Sequence, residues 1–164
     1  MRNSIAVFLL VLGAGCAASG SRTEQPASGP LPAAPWQATP LATSAVPQVY
    51  HDVWGRAANK STCALVAFSQ HGQPNAVPRA ATFSGGWAVA YDLPSLRSAF
   101  GIAGTGTSPD GDTYDAWPNK RAWADGSSVG YGPEGGSGPN QLAYLRIAGQ
   151  GCLYNVWSRL GVQH

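Results

Sequence analysis

The sequence predicts a mainly β fold, with α+β as the alternative: a small single antiparallel sheet or sandwich carrying one or two short helices. Three observations predict it. Apolar residues fall in short runs, and no long stretch keeps a 3.6-residue period. Glycine and proline are abundant, 21 and 13 of 164 residues, and punctuate those runs. The C-terminal part reads strand, turn, strand: 142–148 (LAYLRIA), the glycine turn 149–151 (GQG) and 152–158 (CLYNVWS).

The first element is a leader. One basic residue, Arg2, precedes an apolar run at 5–12 (IAVFLLVL), which ends in Gly13, Ala14, Gly15 and Cys16. A bilayer-spanning helix needs about 20 apolar residues, so this run is too short to anchor the chain. A basic start, a short apolar core and small residues at its end describe a secretory signal over residues 1–15. With Cys16 at the cut, the stretch resembles the lipobox of bacterial lipoproteins. Ala14 and Gly15 match that pattern; Gly13 stands where it prefers Leu, which is one step back at Leu12. The resemblance implies that Cys16 becomes the lipidated first residue, carrying diacylglycerol and usually an N-acyl chain such as palmitate. Two or more lipid signals give stable anchoring on a membrane surface. Ala17 in place of Asp implies the outer membrane facing the periplasm; the alternative is a soluble secreted protein.

Residues 16–47 read as the lipidated cysteine and a tether. The stretch 17–47 holds six of the 13 prolines and only two charges, Arg22 and Glu24, with no apolar period. Such composition buries too little surface to offset chain entropy. Stiffened by proline at about 3.1 Å per residue, it would reach on the order of 90 Å if fully extended. Trp36 and Leu41 are its sizeable apolar residues, the ones able to dock on the domain.

Residues 48–164 form one domain, long enough for a core. The charge balance, ten Lys and Arg against eight Asp and Glu over the chain, includes no basic stripe for nucleic acid and no acidic block. With Cys16 lipidated, the resemblance leaves Cys63 and Cys152 as an even pair in an oxidising compartment, which implies a disulfide between them. Each opens a strand-like run. Residues 63–69 (CALVAFS) are apolar on both faces and suit a buried central strand beside the C-terminal hairpin.

The remaining elements follow in order. Val49, Val53 and Ala57 share one face of a helix over 49–58, weakened by Gly55. Residues 81–91 (ATFSGGWAVAY) read as a strand interrupted at Gly85 and Gly86, where a bulge or a close backbone approach is expected. Asp92 and Pro94 suit the start of a short helix over 93–100 (LPSLRSAF). In the hairpin, Leu142, Tyr144 and Arg146 share one face and Leu145 and Ile147 the other. Leu153, Asn155 and Trp157 likewise oppose Tyr154 and Val156.

Residues 101–140 are glycine-rich, yet Tyr114, Trp117, Trp123 and Tyr131 are set into them. Part of the segment reads as a hairpin turning at 118–120. Two readings of the rings compete. Displayed on loops, they form a recognition surface for sugar rings or protein side chains. Packed on the sheet, they are core. Asp110, Asp112 and Asp115 offer carboxylates at a spacing that calcium uses, but without the EF-hand pattern, so an Asx-rich turn competes with a Ca2+ loop. GIAGTG at 101–106 lacks the setting of a phosphate loop.

The sequence offers no catalytic motif. His51, His71 and His164 are far apart, and no GxSxG or HExxH occurs. The expectation is a non-enzymatic, membrane-anchored binding domain for an envelope protein or glycan, inhibitor-like, immunity-like or structural. The alternative is a secreted hydrolase drawing on Asp110, Asp112, Asp115 or Glu134, or a peptidoglycan-binding module using the 101–140 loop.

Overall fold

The computed structural model describes residues 29–83, 85–105, 117–136 and 138–161. Seven strands form one antiparallel sheet: β1 (Val77–Ala81), β2 (Trp87–Leu93), β3 (Leu96–Thr105), β4 (Asn119–Ala122), β5 (Ser128–Pro133), β6 (Gln141–Arg146) and β7 (Leu153–Ser158). Their order is β1-β2-β3-β7-β6-β5-β4. Two meanders, β1 to β3 and β4 to β7, therefore join where the last strand lies beside β3. The mainly β reading holds, and the C-terminal hairpin sits at the centre of the sheet.

The hairpin's two-residue alternation sorts its side chains as the sequence predicts. Tyr154, Val156, Leu145 and Ile147 pack into the core with Trp87, Val89, Tyr91, Phe100 and Ile102. Helix α2 (Gln48–Arg56) covers this face, and α1 is the single turn Pro35–Ala38. Val49, Val53 and Ala57 all meet the core, and Tyr50 is fully buried between them. Burial drives the Tyr50 phenol well above its ordinary pKa, and that of Tyr154 up to about 12.

Cys63 and Cys152 are joined by a disulfide, their Cα atoms 5.3 Å apart. Residues 63–69 depart from expectation: they run extended across the core face but pair with no strand. Side chains, not a ladder, satisfy their backbone at its start. Trp54 Nε1 donates to the Cys63 carbonyl (2.8 Å), Ala64 N–H donates to Gln150 Oε1 (2.8 Å), and Tyr154 Oη donates to the Ala64 carbonyl (3.0 Å). Leu65, Val66, Ala67 and Phe68 all contact the core. The segment is apolar throughout because it lines the core rather than because it is a central strand.

Three further expectations are corrected. Residues 93–100 are not helical. Leu93 pairs with Leu96 across a turn at 94–95, and the chain continues as β3. Asp92 does not cap a helix: Oδ1 accepts the Ser98 N–H (2.7 Å) and Oδ2 the Arg79 Nε–H (2.8 Å), holding Ser98 at φ 51°. Residues 81–91 are not one strand but the end of β1, a turn, and β2. Gly86 does mark a close approach, since a Cβ there would collide with the Gly104 carbonyl. Finally, 119–120 open β4, and the β4–β5 turn lies at 124–126 instead of 118–120.

The packed body also begins before residue 48. Ala124 N–H donates to the Pro32 carbonyl (2.9 Å), Ala34 is fully buried, and Trp36 Nε1 donates to Asp125 Oδ2 (3.0 Å). Residues 32–38 thus dock on the β4–β5 turn, in place of the undocked tether that their composition suggests.

Candidate functional site

Register places one groove. Asn119 pairs with Tyr131, Tyr131 with Ala143, and Ala143 with Val156, so these four side chains form a row across β4, β5, β6 and β7. Gln141 and Ser158 pair in the adjacent row. Phe68 and His71, from the extended segment, rise as the opposite wall. Together they enclose a groove of about 470 Å3, within the ~300–1,000 Å3 usual for small-molecule sites.

The His71 wall is built from stacked rings. Tyr91 and Phe100 stack face to face, centroids 4.6 Å apart and planes 12° apart, and His71 lies 5.0 and 5.2 Å from them. The His71 Nδ1 atom accepts the Gln73 N–H (3.3 Å). Asn119 Nδ2 donates to the Tyr131 carbonyl (3.3 Å). Among the described residues the Gln141 Nε2 atom is buried without a hydrogen-bond partner. Among the described residues no Asp, Glu, Lys or Arg lines the groove. Its chemistry is aromatic, aliphatic and amide.

Of the sequence-selected rings, Tyr131, Trp117 and Trp123 are described, and these three do not converge. Tyr131 is 45% exposed and stands at the groove. Trp117 lies on the opposite face, where Gly130 and Gly132 make room for it and Pro118, and its ring is 5.6 Å from that of Tyr144. Trp123 is 7% exposed and packs edge-on against Trp36 (5.2 Å), with the Arg121 guanidinium 5.8 Å from its ring. Both tryptophans make packing contacts. Cys16, Asp110, Asp112, Tyr114 and Asp115 lie outside the described residues. Glu134 is bound to Asn140, its Oε2 accepting from Nδ2 at 3.2 Å. Among the described residues no cluster of three or more His, Cys, Asp or Glu could hold a metal ion, and no helix is long and apolar enough to cross a membrane.

Sequence reasoning found Tyr131 but missed Phe68, His71, Asn119 and Gln141. No local signal marks these four, because only the sheet order brings them together.

A second recess lies on the opposite face, about 520 Å3, between Arg79, Ser98, Tyr144 and Trp157. Arg79 and Ser98 are bound to each other in its wall. Arg79 bonds Asp92, and its Nη2 donates to Ser98 Oγ (2.6 Å). The Ser98 N–H and the Arg79 guanidinium together hold the Asp92 carboxyl below its ordinary pKa.

Fold and groove define a disulfide-clipped, single-sheet β protein with an aromatic and amide-lined groove beside Tyr131. No family model matches this chain, no curated protein matches it, and no solved structure matches it.

Proposed function

We propose that this protein is a lipid-anchored envelope protein, attached through Cys16, whose sheet domain binds a protein or glycan partner in the groove beside Tyr131. One observation carries the binding reading: a large aromatic side chain stands half exposed at the edge of a groove with an apolar floor. Tyrosine is among the commonest anchors of recognition surfaces, since it supplies rigid area and a hydrogen-bonding tip. The anchor reading is supported by the resemblance of Ala14, Gly15 and Cys16 to the lipobox and by the pairing of the two remaining cysteines with each other.

Two measurements test it. Intact-mass analysis of membrane-extracted protein should give a mature chain starting at an acylated Cys16; an unmodified thiol there, or a start several residues downstream, would remove the anchor. A photo-crosslinking amino acid at position 131 should capture a specific envelope component, and the same probe at Val77, an exposed site on edge strand β1, should not. Equal labelling from both positions would remove the groove from the function.

A further inference from the structure

We infer that the groove's ligand is an uncharged saccharide carrying an acetamido group, bound with a sugar face on Tyr131. This rests on the groove being the binding site proposed above. The lining narrows the ligand by charge first. The described lining is aromatic, aliphatic and amide, with no Asp, Glu, Lys or Arg among its described residues, and so suits neutral polar groups. It does offer three primary amides, on Gln70, Asn119 and Gln141. Each amide both donates and accepts, and so do sugar hydroxyls, whereas an apolar peptide side chain would leave these groups unmatched.

The buried Gln141 Nε2 atom is a donor without a partner, and such a group is costly in a finished site. A ligand acceptor at the Gln141 side chain relieves that cost, and an acetamido carbonyl is a strong one. The acetamido methyl then has an apolar floor in Ala143 and Val156, on the row next to Gln141. The Tyr131 ring supplies the platform: the C–H face of a pyranose is apolar and stacks on an aromatic face. The volume of about 470 Å3 accommodates a short saccharide.

The test is calorimetric titration of the full mature protein with the disaccharide of N-acetylglucosamine. Its deacetylated, cationic counterpart and maltose serve as controls. The acetylated sugar should bind saturably, at least tenfold tighter than either control. Tyr131→Ala and Gln141→Leu should each weaken it at least fivefold, while Tyr131→Phe keeps most of the affinity. Near-ultraviolet circular dichroism checks that each variant is folded, and Asn119→Ala substitutes for any that is not. Absence of saturable binding, equal affinity for the cationic sugar, or unchanged affinity in Tyr131→Ala overturns the inference. The crosslink at position 131 separates the two failures. A specific protein adduct with no sugar binding sinks the saccharide and leaves the groove standing; loss of both sinks the groove as well.

Discussion

Trp36 donates its indole N–H to Asp125, 89 residues further along the chain, and lays its ring edge-on against Trp123. This contact fastens a proline-rich stretch to the β4–β5 turn. Trp36→Ala removes the aromatic pair and part of the buried area, so stability should fall by about 1–2 kcal/mol. Limited proteolysis should then cut near residues 30–45 at protease doses that leave the parent protein intact. An unchanged digestion pattern would mean that the segment is held elsewhere.

The same contact carries a pH dependence. Partial desolvation raises the Asp125 pKa, but hydrogen bonds from Ser127 and Trp36 outweigh it, and the net shift is downward. A depressed folded pKa stabilises above the unfolded value, near 4, and that contribution is lost as pH falls through the folded value. Asp92 behaves alike, with Ser98 and Arg79 as its partners. Asp92→Asn should therefore lower the melting temperature at pH 7, and the gap to the parent should close as pH drops below about 4. A gap independent of pH would assign the loss to packing instead.

Removing the Cys63–Cys152 bond releases a loop with a sequence separation of 89. Chain entropy puts that at about 4–5 kcal/mol. Urea denaturation of a Cys63→Ala, Cys152→Ala double variant, compared with the oxidised parent, reads the difference. A loss under about 1 kcal/mol would show that the denatured chain retains structure around the bond.

Two glycines should respond with opposite sign. Gly55 lies inside α2 with open space around it, so Gly55→Ala should stabilise by about 0.5–1 kcal/mol. Gly104 lies under the disulfide, where a Cβ would come within 2.7 Å of the Cys63 sulfur. Gly104→Ala forces the bond or the Trp87 ring aside and should cost about 1–3 kcal/mol. Thermal melts of the two variants check both signs.

The elements legible in the sequence are those whose signal is local. Residues 142–158 alternate strictly around a glycine turn, and 49–57 keep one apolar face, so both form as read. Elsewhere the local signal was ambiguous. An extended segment pressed between helix and sheet is apolar on both sides, like a central strand, and 63–69 show that pattern alone cannot separate the two. Pro94 after Asp92 suits a helix start and a hairpin turn equally; the strand partners of Phe100 and Ile102 decide for the turn. The docking of 32–38 has no periodic signature because it depends on a handful of contacts made by Ala34 and Trp36. At the groove, Tyr131 was visible as an aromatic residue among glycines. Its neighbours come from five separate stretches of chain, brought together only by the folded arrangement of strands and the 63–71 segment.

Docking at Pro32 also sets a leash. With the proposed lipid at Cys16, 16 residues would separate the membrane from Pro32, the first hydrogen-bonded contact with the body among the described residues, a span of at most about 55 Å. A tether free up to residue 47 would allow about twice that. The leash enters at the turn end of the β4–β5 hairpin, whereas Asn119 and Tyr131 pair at its open end. Under the proposed anchoring, a pull from the bilayer would reach the hairpin at the end opposite Tyr131 and would not bear directly on the groove.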